Sequence, residues 1–265
     1  MLSIRKRNHK LARSSHCLWF IITFFYHYHA LADAIVIGVQ ELDYYPYSQV
    51  VDGQYQGFAR DLFDAFAIQQ QLDISFRSLP IKRLYQELVN KRIDFKFPDN
   101  PFWAKEDKKD TTLFYSDAIV GYIDGVLVTE KKRHIPRDQF LEVGFVRGFA
   151  PWTLMTDINE GKLKAREANS LKSLILLALN QRIDGAYFNI KVAKYQLSNK
   201  SIYNGELYFA EHLPHHKANY RMSTPFAKHQ SLVSAFNQFL QSEQAAAIYQ
   251  DYQLSVFPEQ TFGAQ

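Results

Sequence analysis

Cysteine is almost missing from these 265 residues, with Cys17 the only one. Such a chain forms no internal disulfide and offers no thiolate set for a metal. Also absent are a Gly-x-Ser-x-Gly elbow, a phosphate-binding glycine loop, a zinc-protease helix and a dinucleotide fingerprint. The usual signatures of hydrolase, nucleotide and dehydrogenase chemistry therefore give no starting point. The apolar segment "CLWFIITFFY", Cys17 to Tyr26, falls short of the roughly 20 residues a spanning helix needs. It follows Arg5, Lys6, Arg7, Lys10 and Arg13 and precedes "ALA" at Ala30 to Ala32. That order of basic, apolar and small residues predicts a secretory signal peptide over residues 1–32, cleaved after Ala32, and a periplasmic protein. The leader holds five of the 31 Lys+Arg and none of the 27 Asp+Glu, so 26 bases face 27 acids in the remainder, a net charge of −1. The basic character belongs to export, and no basic surface remains to suggest nucleic acid. Cys17 leaves with the leader, so stability rests on core burial alone.

What the chain does have is regular alternation. "AIVIGVQ" (34–40) is a β-branched run expected as a buried strand, followed by a loop through Pro46 and Gly53. "GFARDLFDAFAIQQQ" (57–71) spaces apolar residues at helical intervals, "DISFRSL" alternates, "IKRLYQELVNK" is amphipathic, and "IDFKF" alternates again. This βαβαβ order predicts a mainly parallel sheet covered by helices. A polar loop, "PDNPFWAKEDKKDTT", leads to a long β-prone stretch, Leu113 to Glu130, after which a second α/β set begins. Ser170 is placed to cap its helix. The chain closes on one apolar helical face carrying Leu232, Phe236, Phe239 and Leu240. "NKRIDFKF" (90–97) and "NQRIDGAY" (180–187) repeat Arg-Ile-Asp between an amphipathic run and an apolar one. The repeat predicts two α/β units that share one helix-to-strand turn, with Asp94 and Asp184 holding backbone donors there. Asp61 is expected to be structural as well. His212, His215 and His216 lie around Pro214 without metal-site spacing, so no metal and no cofactor is expected.

The opening strand with "YYPYSQVVDGQYQGFARDLFDAF", then "LYQELVNKRIDF", "FYSDAIVGYIDGVLVTE", "LEVGFVRG", "SLKSLILLALNQRIDGAYFN" and "YRMSTPFAKHQSLVSAFNQFL" together resemble the bacterial extracellular solute-binding proteins of family 3. The likeness runs over more than 200 residues in the family's order. It implies a type II two-lobe periplasmic binding protein of the α/β class, each lobe a mainly parallel sheet flanked by helices, joined by two hinge strands. Residues 34–123 plus 222–265 would form lobe 1 and residues 124–221 lobe 2. A small-molecule ligand would sit between the lobes, which close by hinge motion. The resemblance further implies a non-enzymatic monomer that serves an inner-membrane ABC permease, as in amino acid transport, or a membrane sensor. A dehydratase acting on cyclohexadienyl substrates is the enzymatic alternative on the same fold, with Asp99 or Glu106 as its acid or base.

The family's amino-acid binders hold the α-carboxylate with an Arg in the lobe-one loop and a Gly-Thr in lobe two, and the α-ammonium with a lobe-two Asp. This chain departs at each place. The loop has Lys105, Lys108 and Lys109 but no Arg, with Lys108 or Lys109 nearest the position. A lysine supplies charge without the planar fork. Gly148 is followed by Phe149, with Arg147 just before it, and the acidic place carries Asn189. The departures predict a ligand other than a standard α-amino acid, small, polar or compatible with aromatic surfaces. The expected ligand-binding residues are Tyr45, Tyr47, Asp99, Asn100, Trp103, Lys108, Arg147, Phe149 and Asn189. Tyr44, Phe102, Trp152 and Tyr187 are further rings near the same loops. Because Tyr47 and Trp103 lie on loops, their loss is expected to weaken binding more than folding, whereas loss of Phe66 is expected to destabilise.

Overall fold

The computed structural model describes residues 34–199 and 201–258. The expected leader lies outside them. The first unit runs β1 (Ile35–Gln40), the hairpin β2 (Gln49–Val51) and β3 (Gln54–Gln56), α1 (Phe58–Gln70), β4 (Ile74–Leu79), α2 (Ile81–Val89), β5 (Phe95–Asp99), α3 (Lys105–Lys108), β6 (Phe114–Tyr115) and β7 (Val120–Val128). The second runs β8 (Glu142–Val146), α4 (Met155–Asn159), β9 (Lys164–Ala168), α5 (Leu171–Leu179), β10 (Gly185–Asn189), α6 (Ile190–Asn199), β11 (Tyr208–Phe209) and β12 (His216–Thr224). Helices α7 (Gln230–Phe239) and α8 (Glu243–Asp251) close the described chain. Among the described residues no helix is long and apolar enough to cross a membrane.

The parallel pairings expected from the alternation are present: β1 lies between β4 and β5, and β8 lies between β9 and β10, all in parallel. The two sets meet at β12. Its Arg221 and Ser223 pair antiparallel with β5, while His216 to Tyr220 pair antiparallel with β7, which continues the sheet to β10. This is the α/β two-lobe arrangement, with β7 and β12 as the strands common to both halves. Phe63 stacks on Phe236 and meets Phe97 edge-on in the larger core. Phe140, Val143 and Leu154 build a second core under β8.

Two local expectations need correction. The loop after β1 contains the β2–β3 hairpin, turned by Asp52 and Gly53 at positive φ. The closing apolar run is two helices rather than one, because Ser242 interrupts it and its hydroxyl accepts from the Ala245 N–H at 3.1 Å, starting α8 afresh. Ser170 caps α5 as expected, accepting from Ser173 N–H.

The repeated Arg-Ile-Asp has one explanation in both places. Lys91 and Gln181 each adopt left-handed φ, 58° and 55°, to leave α2 and α5. Asp94 then accepts from the Val36 N–H of β1 at 2.9 Å. Asp184 accepts from the N–H groups of Leu141 and Glu142, each at 2.8 Å, at the start of β8. Each aspartate thus ties its own turn to the first strand of its own unit. Burial acts to raise the Asp184 carboxyl, but Lys132 and those two N–H groups outweigh it and hold it below the usual range.

Candidate functional site

Strand β7 alternates, so Tyr122 and Asp124 share a face. Its antiparallel partners set Ala218 and His216 of β12 opposite them, and Asn189 of β10 opposite Asp124. Tyr220 stacks on Tyr122 with centroids 4.2 Å apart and planes 8° from parallel. Trp103 meets both rings edge-on at 5.7 Å. From the loop after β1, Tyr47 packs edge-on against Tyr220 at 5.4 Å and donates its hydroxyl to the Gly121 carbonyl at 2.9 Å. Tyr44 stacks on Phe149, 5.8 Å away beyond β8, and its hydroxyl accepts from the Asn189 N–H at 3.4 Å. The result is a continuous wall of rings drawn from both halves of the sheet.

Asp124 lies within this wall, 8% exposed, and its Oδ1 has no hydrogen-bond partner. Burial pushes its carboxyl up to about 7. The Tyr122 hydroxyl, approached by the Trp103 indole, makes no well-formed hydrogen bond of its own and keeps acceptor capacity. Burial first, and then the Asp124 charge, hold the phenols of Tyr44, Tyr122 and Tyr187 above their ordinary range. Burial likewise pushes Tyr47 up to about 12.

A second polar group sits beside the wall. Asp99 is fully buried; its Oδ2 accepts from Ser223 Oγ at 2.6 Å and its Oδ1 from the Asn100 N–H at 2.8 Å. Lys96 and Lys108 bring their ammonium groups to 3.6 and 3.4 Å of the same Oδ1. Lys96 also donates to the Pro98 carbonyl and lies 4.2 Å above the Tyr85 ring. Burial lowers Lys96 to about 8 against the opposing pull of Asp99, with Lys108 adding to the lowering. Burial lowers Lys108 too, again against Asp99.

The expected ligand residues divide on this geometry. Tyr47, Trp103 and Phe149 come together in the ring wall. Tyr45 turns away, onto Tyr195 at 4.3 Å and Tyr252 at 6.0 Å. Lys108 is occupied by Asp99, the Asn100 carbonyl at 2.8 Å and the Tyr115 hydroxyl at 3.0 Å, whereas Lys109 pairs on the surface with Glu106. Asn100 holds the turn, accepting from Phe102 N–H and donating to the Asn219 carbonyl. Asn189 caps α6, its Oδ1 accepting from the N–H groups of Lys191 and Val192 while its amide donates to the Tyr220 hydroxyl. Arg147 points outward to Glu167 at 3.0 Å, at the rim of a groove of about 410 Å³ lined by Pro80, Ile81, Lys82 and Asn169. Tyr47 is buried with its hydroxyl bonded, so its truncation affects folding as well as any ligand. Tyr122, Asp124 and Tyr220 were not among the expected residues.

Gly148 lies where the loop after β8 passes close to α2. It has φ +93°, and a Cβ there would stand 3.0 Å from the Ile81 Cβ at the start of α2. Gly148→Ala combines left-handed strain with that contact, and is expected to destabilise by roughly 1–2 kcal/mol, read as a lowered denaturation midpoint. A midpoint equal to that of the parent would show that β8 and α2 do not approach this closely in solution.

The model of the family described as bacterial extracellular solute-binding proteins, family 3, matches residues 35–257. A search of curated proteins returned no match. Similar solved structures include the arginine-, lysine-, histidine-binding protein ArtJ of Geobacillus stearothermophilus, 17% identical, covering 83% of this chain and 94% of that one at a TM-score of 0.67. A histidine kinase sensor domain is 15% identical, covering 83% and 96%, also at 0.67. The ancestral amino acid-binding protein AncCDT-1, described as a precursor of cyclohexadienyl dehydratase, is 18% identical, covering 83% and 94%, at 0.63.

Proposed function

This chain belongs to the bacterial extracellular solute-binding proteins of family 3, and we propose that it captures one small solute between its lobes in the periplasm. The lobes divide at 34–123 plus 222–265 and at 124–221, and the leader is removed after Ala32. The captured solute is passed to an inner-membrane ABC permease or reported to a membrane sensor. The observation that carries this reading is the wall of rings, to which Tyr44, Tyr47 and Trp103 contribute from one side and Phe149 and Tyr187 from the other. Such surfaces serve a ligand that enters when the rings part. The solute is not a standard α-amino acid. The groups at the family's charge-binding places are engaged within the fold: Lys108 by Asp99, Asn189 by its own helix, Arg147 by Glu167.

The test is a thermal-shift screen of the refolded mature chain against amino acids, polyamines, small carboxylates, short peptides and aromatic acids. A solute at 100 times its Kd stabilises by about 2.7 kcal/mol, or roughly 5–10 °C for a chain of this size. Trp103→Ala should lose most of that shift. A shift from ordinary α-amino acids would reverse the specificity reading, and a shift from nothing would remove the binding reading.

An enzyme on the same fold is the second reading, and one observation favours it. A buried carboxyl near pKa 7, that of Asp124, is suited to proton transfer. Asp99 and Glu106 are less suited, being held by two lysines and by surface Lys109. The expectation is no turnover of a cyclohexadienyl substrate by the purified chain. Turnover abolished by Asp124→Asn would establish the enzyme instead.

A further inference from the structure

We propose that Asp124 is the counter-ion for a protonated organic amine, held against the rings of Tyr44, Tyr122, Tyr187 and Tyr220. This rests on the solute-binding reading above and names its ligand class. The starting point is an unbalanced charge. Asp124 is buried and its Oδ1 has no partner. Among the described residues it belongs to none of the ion pairs, and the two buried lysines, Lys96 and Lys108, are drawn to Asp99. A buried carboxylate in this condition either takes up a proton or meets a cation.

Its surroundings favour the cation once the site is filled. Tyr122 shares its face of β7, β12 sets His216 opposite it, and the Asp124 charge acts on Tyr44 and Tyr47 of the loop, Tyr187 of β10 and Tyr220 of β12. Burial lowers the His216 imidazole, so it stays neutral near pH 7 and supplies no counter-charge. Ring faces attract an ammonium and repel an anion. Two acceptor atoms refine the choice. Asp124 Oδ1 and the Tyr122 hydroxyl can each accept an N–H. An amine bearing hydrogens can satisfy both, whereas a quaternary ammonium satisfies the charge alone.

The same charge predicts how binding depends on pH. With the Asp124 carboxyl near 7 in the empty protein, the amine competes with a proton. Affinity should rise about tenfold from pH 6 to pH 8.

The experiment uses the refolded mature chain, with intrinsic tryptophan fluorescence (Trp103 and Trp152) and calorimetry as readouts. The probes are butylammonium, benzylammonium and putrescine, their neutral alcohols, their carboxylates, and tetramethylammonium. At least one amine is expected to bind more than tenfold tighter than its alcohol or carboxylate and more tightly than tetramethylammonium. Asp124→Asn should lose that preference and the pH dependence. Tyr122→Phe, which keeps the ring, should weaken the amine several-fold. Near-ultraviolet circular dichroism confirms that both variants are folded. If an alcohol or carboxylate binds as well as its amine, or Asp124→Asn keeps the preference, the counter-ion role is wrong and the solute-binding reading stands. If none of these probes and none of the wider solute panel binds, both fall together.

Discussion

Exchanging Asp99 for asparagine is expected to cost roughly 3–5 kcal/mol, on the order of 10 °C in melting temperature for a domain of this size. Asp99 is the single anion between two buried ammonium groups, and both of its oxygens are bonded, to Ser223 and to Asn100. Asparagine preserves volume but turns an amide toward two cations. Lys96, fully buried, keeps the Pro98 carbonyl, the Tyr85 ring face and a more distant Trp103 ring. An uncompensated buried charge is far more costly than an absent pair. Two further results follow. Adding Lys96→Met to the asparagine variant should recover part of the loss, because one of the stranded cations is gone. The single variant should also lose less at pH 9 than at pH 7, since Lys96 is already lowered to about 8 by burial and sheds its proton more readily without Asp99. A single variant within 1 kcal/mol of the parent would show that the cluster is solvated rather than buried.

The contrast between Asp99 and Asp124 also marks what a sequence can reveal. The repeated Arg-Ile-Asp turn was legible because everything it needs is local: a left-handed residue, a helix end, and an aspartate facing the next strand. The order of strands and helices was legible for the same reason. The occupants of the cleft were not. Lys108 looks like a free cation in "KEDKKD", and only the fold of β5 and α3 reveals that Asp99 takes it up. Asn189 looks like an altered ligand group, but its position just before α6 makes it a cap. A closer look at "GYIDGV" could have found Asp124. Tyr122 and Asp124 share one face of a strand otherwise made of buried residues, and an acid in such a place calls for a partner. Whether that face meets a core or a cleft depends on pairing with Asn189 and His216, 65 and 92 residues away, and no local pattern encodes it.

Asp124→Asn is expected to act in the opposite direction from Asp99→Asn, stabilising the empty protein by an amount that grows as the pH rises from about 4 to about 7. The Asp124 carboxyl stands at about 7 when folded, against 3.8 when free. Between those values the folded chain holds a proton that the unfolded chain has released. Raising the pH through that window therefore favours unfolding, and the whole loss is present above pH 7. The rise from 3.8 to about 7 corresponds to roughly 4 kcal/mol at most, and any opening that admits water to the carboxylate lowers it. Asparagine has no proton to lose. The variant should match the parent near pH 3 and exceed it by several degrees in melting temperature at pH 8. His216 is lowered from its ordinary value and Lys96 is lowered to about 8, so both make stability rise with pH, Lys96 mostly above the Asp124 window. Because they are present in both proteins, the difference between variant and parent at each pH isolates Asp124, apart from any direct coupling to His216 opposite it. A difference that does not change from pH 5 to pH 8 would mean that the carboxylate is already solvated or paired. A difference that grows with pH means that this fold, when empty, carries a charge it is better off without. In the counter-ion proposal, a ligand that supplies the opposite charge offsets that cost.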